Sequence, residues 1–198
     1  MIFLEILQSL GIIIASGVAI WGINSWRREA KWKRKYELAE EVLTNVYEAH
    51  QAIRRIRNII GFGNEGITRI KTENETPEQT RIYNQAYVAR ERYERNKEPL
   101  EKLHALKFRF AALYGTAYEK HFDTFPEVVN KIFFASDEIA RVQLGEYDDD
   151  RPLIREIMIK SRRILYATFK EEDEIENDLK MAINGIESKC RDIVGNYN

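Results

Sequence analysis

A chain of 198 residues with 31 Lys and Arg against 32 Asp and Glu has no basic excess, so a nucleic-acid partner is not expected. Its one cysteine, Cys190, excludes an intramolecular disulfide and suits a reducing compartment. The length allows one anchor and one domain of about 160 residues with a core of ordinary size.

The chain begins with an apolar run. Between Ile6 and Ile23 no residue is charged, and only Gln8, Ser9 and Ser16 are polar. At the α-helical rise this stretch spans about 27 Å, close to the ~30 Å hydrocarbon thickness of a bilayer. Trp21 and Trp26 stand where interfacial aromatics belong, and Arg27, Arg28, Lys31, Lys33, Arg34 and Lys35 follow, opposed locally by Glu29. The pattern predicts a transmembrane anchor in 1–26, a basic juxtamembrane segment in 27–35 and a cytosolic helical bundle in 36–198. The basic flank orients the span with its N-terminus outside and its C-terminal domain in the cytoplasm. A cleavable signal peptide would carry its cations ahead of the apolar core, where this chain has Glu5.

Two faces of the predicted span differ in kind. Gly11, Ala15, Ala19 and Gly22 share one side, and small residues there let two helix backbones approach closely, which predicts self-association. Glu5, Ser9 and Ser16 share another side, the face that a pore would turn inward.

No glycine or proline occurs from Ser25 to Ile60, so nothing stops the anchor helix at the membrane surface. Ala39, Val42, Val46, Ala49, Ile53, Ile56 and Ile60 form a heptad seam, read as the core-facing stripe of a bundle in preference to an intermolecular coiled coil. Gly61-Phe62-Gly63-Asn64-Glu65-Gly66 matches G-x-G-x-x-G, but that fingerprint works only between a strand and a helix. Here the glycines are expected to supply a left-handed cap after the helix and a surface turn, with Phe62 against the bundle.

A second helix is expected from Pro77, after Thr76, to Tyr114, closed by Gly115 and kinked or divided at Pro99. Its apolar side is Ile82, Ala86, Tyr93, Leu100, Leu103, Phe110 and Leu113, and the charged run Arg90 to Lys102 reads as a solvated, ion-paired face. Asp123-Thr124-Phe125-Pro126 reads as the start of another helix, ending near Gly145. The next begins near Pro152 behind Asp148, Asp149 and Asp150, and the last carries Leu179, Ile183, Ile186, Cys190 and Ile193. The acid-rich stretch Glu171 to Asp178 lacks calcium-loop spacing and reads as a solvated helix start. With no sustained period-two alternation, the expected class is all-α.

The chain offers no catalytic pattern. His50, His104 and His121 have no metal-like neighbour at helical spacing, and there is no H-E-x-x-H, Walker or G-x-S-x-G motif. No arginine precedes any of them at the spacing of the HEPN ribonuclease pair. Cys190 lies on an apolar stripe and reads as buried and inert. No cofactor and no metal are expected.

Trp21-Gly22-Ile23-Asn24, Trp26-Arg27-Arg28-Glu29, Glu37-Leu38-Ala39-Glu40-Glu41-Val42-Leu43, Gly61-Phe62-Gly63, Leu103-His104-Ala105-Leu106 and Cys190-Arg191 resemble a family of bacterial single-pass membrane proteins with a helical cytosolic domain. The family carries no assigned activity, so the resemblance implies location and architecture. In layout alone the chain is similar to the small membrane accessory protein of type VI-B CRISPR systems, which implies an oligomeric pore. The expected partners are the lipid bilayer, further copies of the chain and a cytosolic protein. The expected function is a self-associating, membrane-anchored scaffold in the bacterial inner membrane, with a pore or membrane-perturbing effector of phage defence as the alternative.

Overall fold

The structure, a computed structural model, describes residues 2–61, 63–147, 150–167 and 173–195, with the backbone alone at 2–10, 12 and 13. The regular elements among them are α1 (Ile2–Ile56), α2 (Pro77–Asn96), α3 (Glu98–Tyr114), a 3-10 turn (Thr116–Tyr118), α4 (Glu119–Gln143), α5 (Arg151–Leu165) and α6 (Glu174–Gly195). The protein is all-α.

The fold is built on α1, whose 55 residues extend about 80 Å at the α-helical rise. Its C-terminal half packs against α2, α3 and α6. There Ala39, Val42, Val46, Ala49, Ile53 and Ile56 are each at most 2% exposed, so the heptad seam is consumed inside the chain's own bundle. Ile60, the seam's last member by pattern, is 68% exposed, because the helix ends at Ile56.

A buried arginine from α2 meets that end. Arg92 donates to the carbonyls of Ile56 (3.4 Å), Asn58 and Ile60 (2.9 Å), and Glu65 meets its charge at 2.6 Å. A cation suits the negative pole of a helix, and it satisfies carbonyls that no further turn can. The glycine string is thereby drawn against α2. The left-handed glycine is Gly66 (φ 83°), not Gly61, and Phe62 lies outside the described residues. The reason is a close approach: a Cβ at Gly66 would stand 2.0 Å from the Asn84 carbonyl oxygen. The Gly66 N–H donates to Glu91 at 2.5 Å.

Thr76 opens α2 with a capping box, accepting from the Gln79 N–H at 3.1 Å while Gln79 accepts from the Thr76 N–H at 2.9 Å. The helical course breaks at Lys97, ahead of Pro99, as the sequence predicts. Leu113 is exposed, a departure from the apolar side assigned to it. The start of α4 is also corrected. It begins at Glu119, behind Gly115 (φ 89°) and the 3-10 turn, and Pro126 sits inside it. An interior proline costs about 3 kcal/mol, whereas continuing the helix ahead of it carries Phe122 and Phe125 into the core for roughly 1.5–3 kcal/mol each.

Gly145 (φ 73°) closes α4, with the Glu146 N–H donating to the Arg141 carbonyl at 3.1 Å. Asp150 caps α5 through the Leu153 N–H, and α5 packs principally on α4. A second buried arginine then joins three helices. Arg57, just past α1, donates to the carbonyls of Arg163 (3.0 Å), Ile164 (2.8 Å) and Tyr166 (3.2 Å) at the end of α5. It also meets Asp173 at 3.0 Å, and Asp173 accepts from the Glu176 N–H at the start of α6. From there α6 runs back along α1: His50 lies 3.1 Å from Glu176, and Gly195 ends beside Trp32 and Tyr36.

Candidate membrane and association surface

Between Ile14 and Trp26 the large apolar side chains of α1 stand without protein cover. Ile14, Val18, Ile20, Trp21, Ile23 and Trp26 are all more than half exposed, although an apolar side chain buried instead would contribute roughly 1.5–3 kcal/mol. Gly11, Ala15, Ala19 and Gly22 are exposed, and a Cβ at Gly11 or Gly22 meets nothing within 4 Å. Ser16 is exposed, whereas Glu5 and Ser9 lie outside the described side chains. Among the described residues no helix is long and apolar enough to cross a membrane, so the anchor expected in 1–26 is not supported. Much of the apolar run, residues 2–10, 12 and 13, falls outside the side chains so described.

Below the apolar arm, Arg27, Arg28, Lys31, Lys33, Arg34 and Lys35 are all exposed. Lys33 sits 3.9 Å from Glu37, and the other five side chains make no ion pair or hydrogen bond among the described residues. The two sides of α1 differ here. Trp32 and Tyr36, with ring centres 5.2 Å apart, line a cavity of about 600 Å³ with Lys33, Glu37, Val194 and Gly195. Tyr114 ties the same level of α1 to α3 through the Lys35 carbonyl at 3.2 Å. The foot of the arm is therefore braced by α3 and by the end of α6.

The remaining surface has two basic places of different character. A cleft of about 450 Å³ between α2, α4 and the preceding loop is lined by Arg69, Tyr83, Arg90, Asp137, Arg141 and Glu146. Its arginines are already matched: Arg69 by Glu75, Arg90 by Asp137 at 2.7 Å and Arg141 by Glu138 at 2.8 Å. Arg69 and the Thr72 hydroxyl hold the Glu75 carboxyl far below the usual carboxylate range. Such a cleft has no spare charge with which to hold an anion. On α5, by contrast, Arg155, Lys160, Arg162 and Arg163 are exposed, and their side chains make no ion pair among the described residues.

The three histidines are spoken for. His50 is paired with Glu176, and His104 lies edge-on to Phe108. His121 rests on the bare backbone of Gly185, where a Cβ would come within 2.5 Å of the ring; burial, with help from Lys120, lowers its pKa. Cys190 is fully buried, and burial, reinforced by Glu187, pushes its thiol up to about 12. The expectation of a buried thiol is met. Among the described residues no group of three or more His, Cys, Asp and Glu side chains gathers as a metal site requires. The glycine string, preceded by a helix and braced through Glu65 and Gly66, has none of the strand-to-helix frame of a pyrophosphate site.

Sequence reading missed the burial of Glu91 and Arg92, which lie in the run assigned to a solvated face. Periodicity shows them on the same side as Val88 and Arg95 and carries no sign of the α1 carbonyls opposite. The acid-rich helix start is likewise engaged: Asp173 with Arg57, Glu176 with His50, and Asp178 with Lys131 at 2.8 Å, while Glu171 and Glu172 lie outside the described residues.

Fold and surface together define a class: a helical bundle bearing a long, uncovered apolar arm with a cationic foot. No family model matches the chain, and no curated protein or solved structure matches it.

Proposed function

We propose that this protein is a membrane-anchored helical scaffold that self-associates through its anchor and presents its bundle to a cytosolic protein partner. The observation that carries this reading is the uncovered arm of α1, where large apolar side chains stand exposed directly above six cations. From Ile6 to Ile23 the arm carries no charge and is apolar but for Gln8, Ser9 and Ser16, and lipid satisfies such an apolar surface. In this reading the chain spans the bacterial inner membrane once, N-terminus out. The resemblance to bacterial single-pass helical proteins supports the same placement. Gly11, Ala15, Ala19 and Gly22 form the contact between copies, and the bundle carries no reaction.

A pore-forming or membrane-perturbing effector is the second reading. It is favoured by the polar side of the arm, where Ser16 is uncovered and shares a face with Glu5 and Ser9.

Crosslinking in native membranes tests the scaffold reading, with the wild type run beside Ala15→Leu. The substitution fills the small-residue face without lowering hydrophobicity, so insertion survives and crosslinked dimers and higher species decline. A monomeric wild type overturns both self-association and the pore. Equal crosslinking in the two proteins moves the contact to another face.

A further inference from the structure

The six cations at the foot of the arm are not evenly spread. At about 100° per residue, Arg27, Arg28, Lys31, Arg34 and Lys35 occupy an arc of roughly 120°. Lys33 lies on the far side, with Trp32 and Tyr36 beside the end of α6, and it is the member that has a carboxylate within reach. The five others are exposed and unpaired among the described residues. Arg57, Arg69, Arg90, Arg92, Lys107 and Lys131 are paired, whereas Arg155, Lys160, Arg162 and Arg163 on α5 also stand exposed without an ion pair among the described residues; what sets the α1 group apart is the apolar arm that precedes it.

The stripe runs about 12 Å along the helix at 1.5 Å per residue, and the apolar arm ends one residue before it, at Trp26, which falls on Lys33's side. A cluster of cations held on one side of a rigid helix, with no internal anion, is a surface for external anions. The arm directly above it names which ones.

We infer that this stripe is a binding site for the headgroups of anionic phospholipids, and that it selects them over zwitterionic ones. This rests on the membrane reading of the arm and adds to it a lipid preference and a direction: α1 leans toward the bilayer on the side of the stripe. The orientation rule for basic flanks requires cations but not that they share a side. A one-sided arrangement concentrates the attraction, each cation near an anionic leaflet being worth about a five-fold preference. The opposite face instead lines, with the end of α6, the cavity of about 600 Å³. Free phosphate shares the headgroup's chemistry but has no tie to the apolar arm.

The test uses the full-length chain reconstituted into vesicles of phosphatidylcholine with a minority of phosphatidylglycerol. Energy transfer is measured from the tryptophans to a trace of either lipid carrying the same headgroup-level fluorophore. Flotation, run in parallel, reports insertion. Labelled phosphatidylglycerol is expected to be enriched around the protein by about five-fold or more over labelled phosphatidylcholine. The enrichment should fall with salt, vanish when Arg27, Arg28, Lys31, Arg34 and Lys35 are all changed to Gln, and persist in Lys33→Gln. Helicity by circular dichroism confirms that both variants remain folded.

Flotation with equal transfer from the two lipids overturns the lipid inference and leaves the anchor standing. Failure of the wild type to float overturns the anchor itself. Loss of the preference to inorganic phosphate, but not to chloride at equal ionic strength, overturns the assignment to lipid in favour of a soluble phosphate ligand. Equal loss in Lys33→Gln and in the five-fold variant shows a diffuse charge effect and removes the stripe.

Discussion

The Arg57 guanidinium lies 3.0 Å from the Asp173 carboxylate, with both side chains almost wholly buried, and the pair closes the end of α5 onto the start of α6. Removing one partner of such a pair leaves a desolvated charge behind, which costs about 3–5 kcal/mol. Arg57→Ala also orphans the Arg163, Ile164 and Tyr166 carbonyls, so it should destabilise by at least that range. Chemical denaturation of the detergent-solubilised chain, followed by circular dichroism, checks it. Asp173→Asn should cost less, because the amide oxygen still accepts from the arginine.

Gly66 is expected to tolerate no side chain. Its φ of 83° strains any other residue by about 1–3 kcal/mol, and the Asn84 carbonyl 2.0 Å from a Cβ forces α2 and the loop apart. Gly66→Ala should therefore lower stability by about 3 kcal/mol or more. Gly63→Ala, where a Cβ meets nothing within 4 Å, should be nearly neutral in the same denaturation assay.

Cys190 should react with thiol reagents only as fast as the bundle opens. Its thiol is raised from an ordinary 9.0 to about 12, so as pH climbs past 9.0 the unfolded chain gives up its proton first. That favours unfolding, and the stability from the protonated thiol is lost between about pH 9 and 12. Cys190→Ser should cost about 1–2 kcal/mol at neutral pH, through a buried hydroxyl, and should remove this part of the alkaline decline. Stability curves of the two proteins against pH decide it.

Topology is open to direct labelling. With the cations behind the arm, Ile2→Cys should react with a membrane-impermeant maleimide on intact cells, and Asn196→Cys should react only after lysis. The reverse pattern overturns the orientation.

Much of the architecture was legible in the sequence because its signals are local. Thr76-Pro77, Gly115, Gly145 and Asp150 mark helix boundaries through caps that involve residues within one turn. The stripe from Ala39 to Ile56 reads as core because periodicity alone puts its members on one side. The cationic foot and apolar arm, too, are plain in composition.

Tertiary structure decided what depends on distant partners. Arg92 reads as one more charge in a solvated run, yet it is buried, because the carbonyls it satisfies belong to residues more than thirty positions earlier. Asp123 to Pro126 reads as a helix start, yet α4 begins at Glu119, because core burial of Phe122 outweighs an interior proline. Ile60 continues a heptad in sequence and stands in solvent, because the helix that would carry it has ended. The same holds at the candidate surface. Six cations in nine residues are visible to anyone reading the chain. That five share one flank, with Lys33 on the other, follows from helical spacing; that the five stand exposed without an ion pair among the described residues, while the end of α6 lies on the side of Trp32 and Tyr36, is decided by the tertiary structure. Local chemistry sets which segments become helices; long-range packing sets which of their faces remain for a partner.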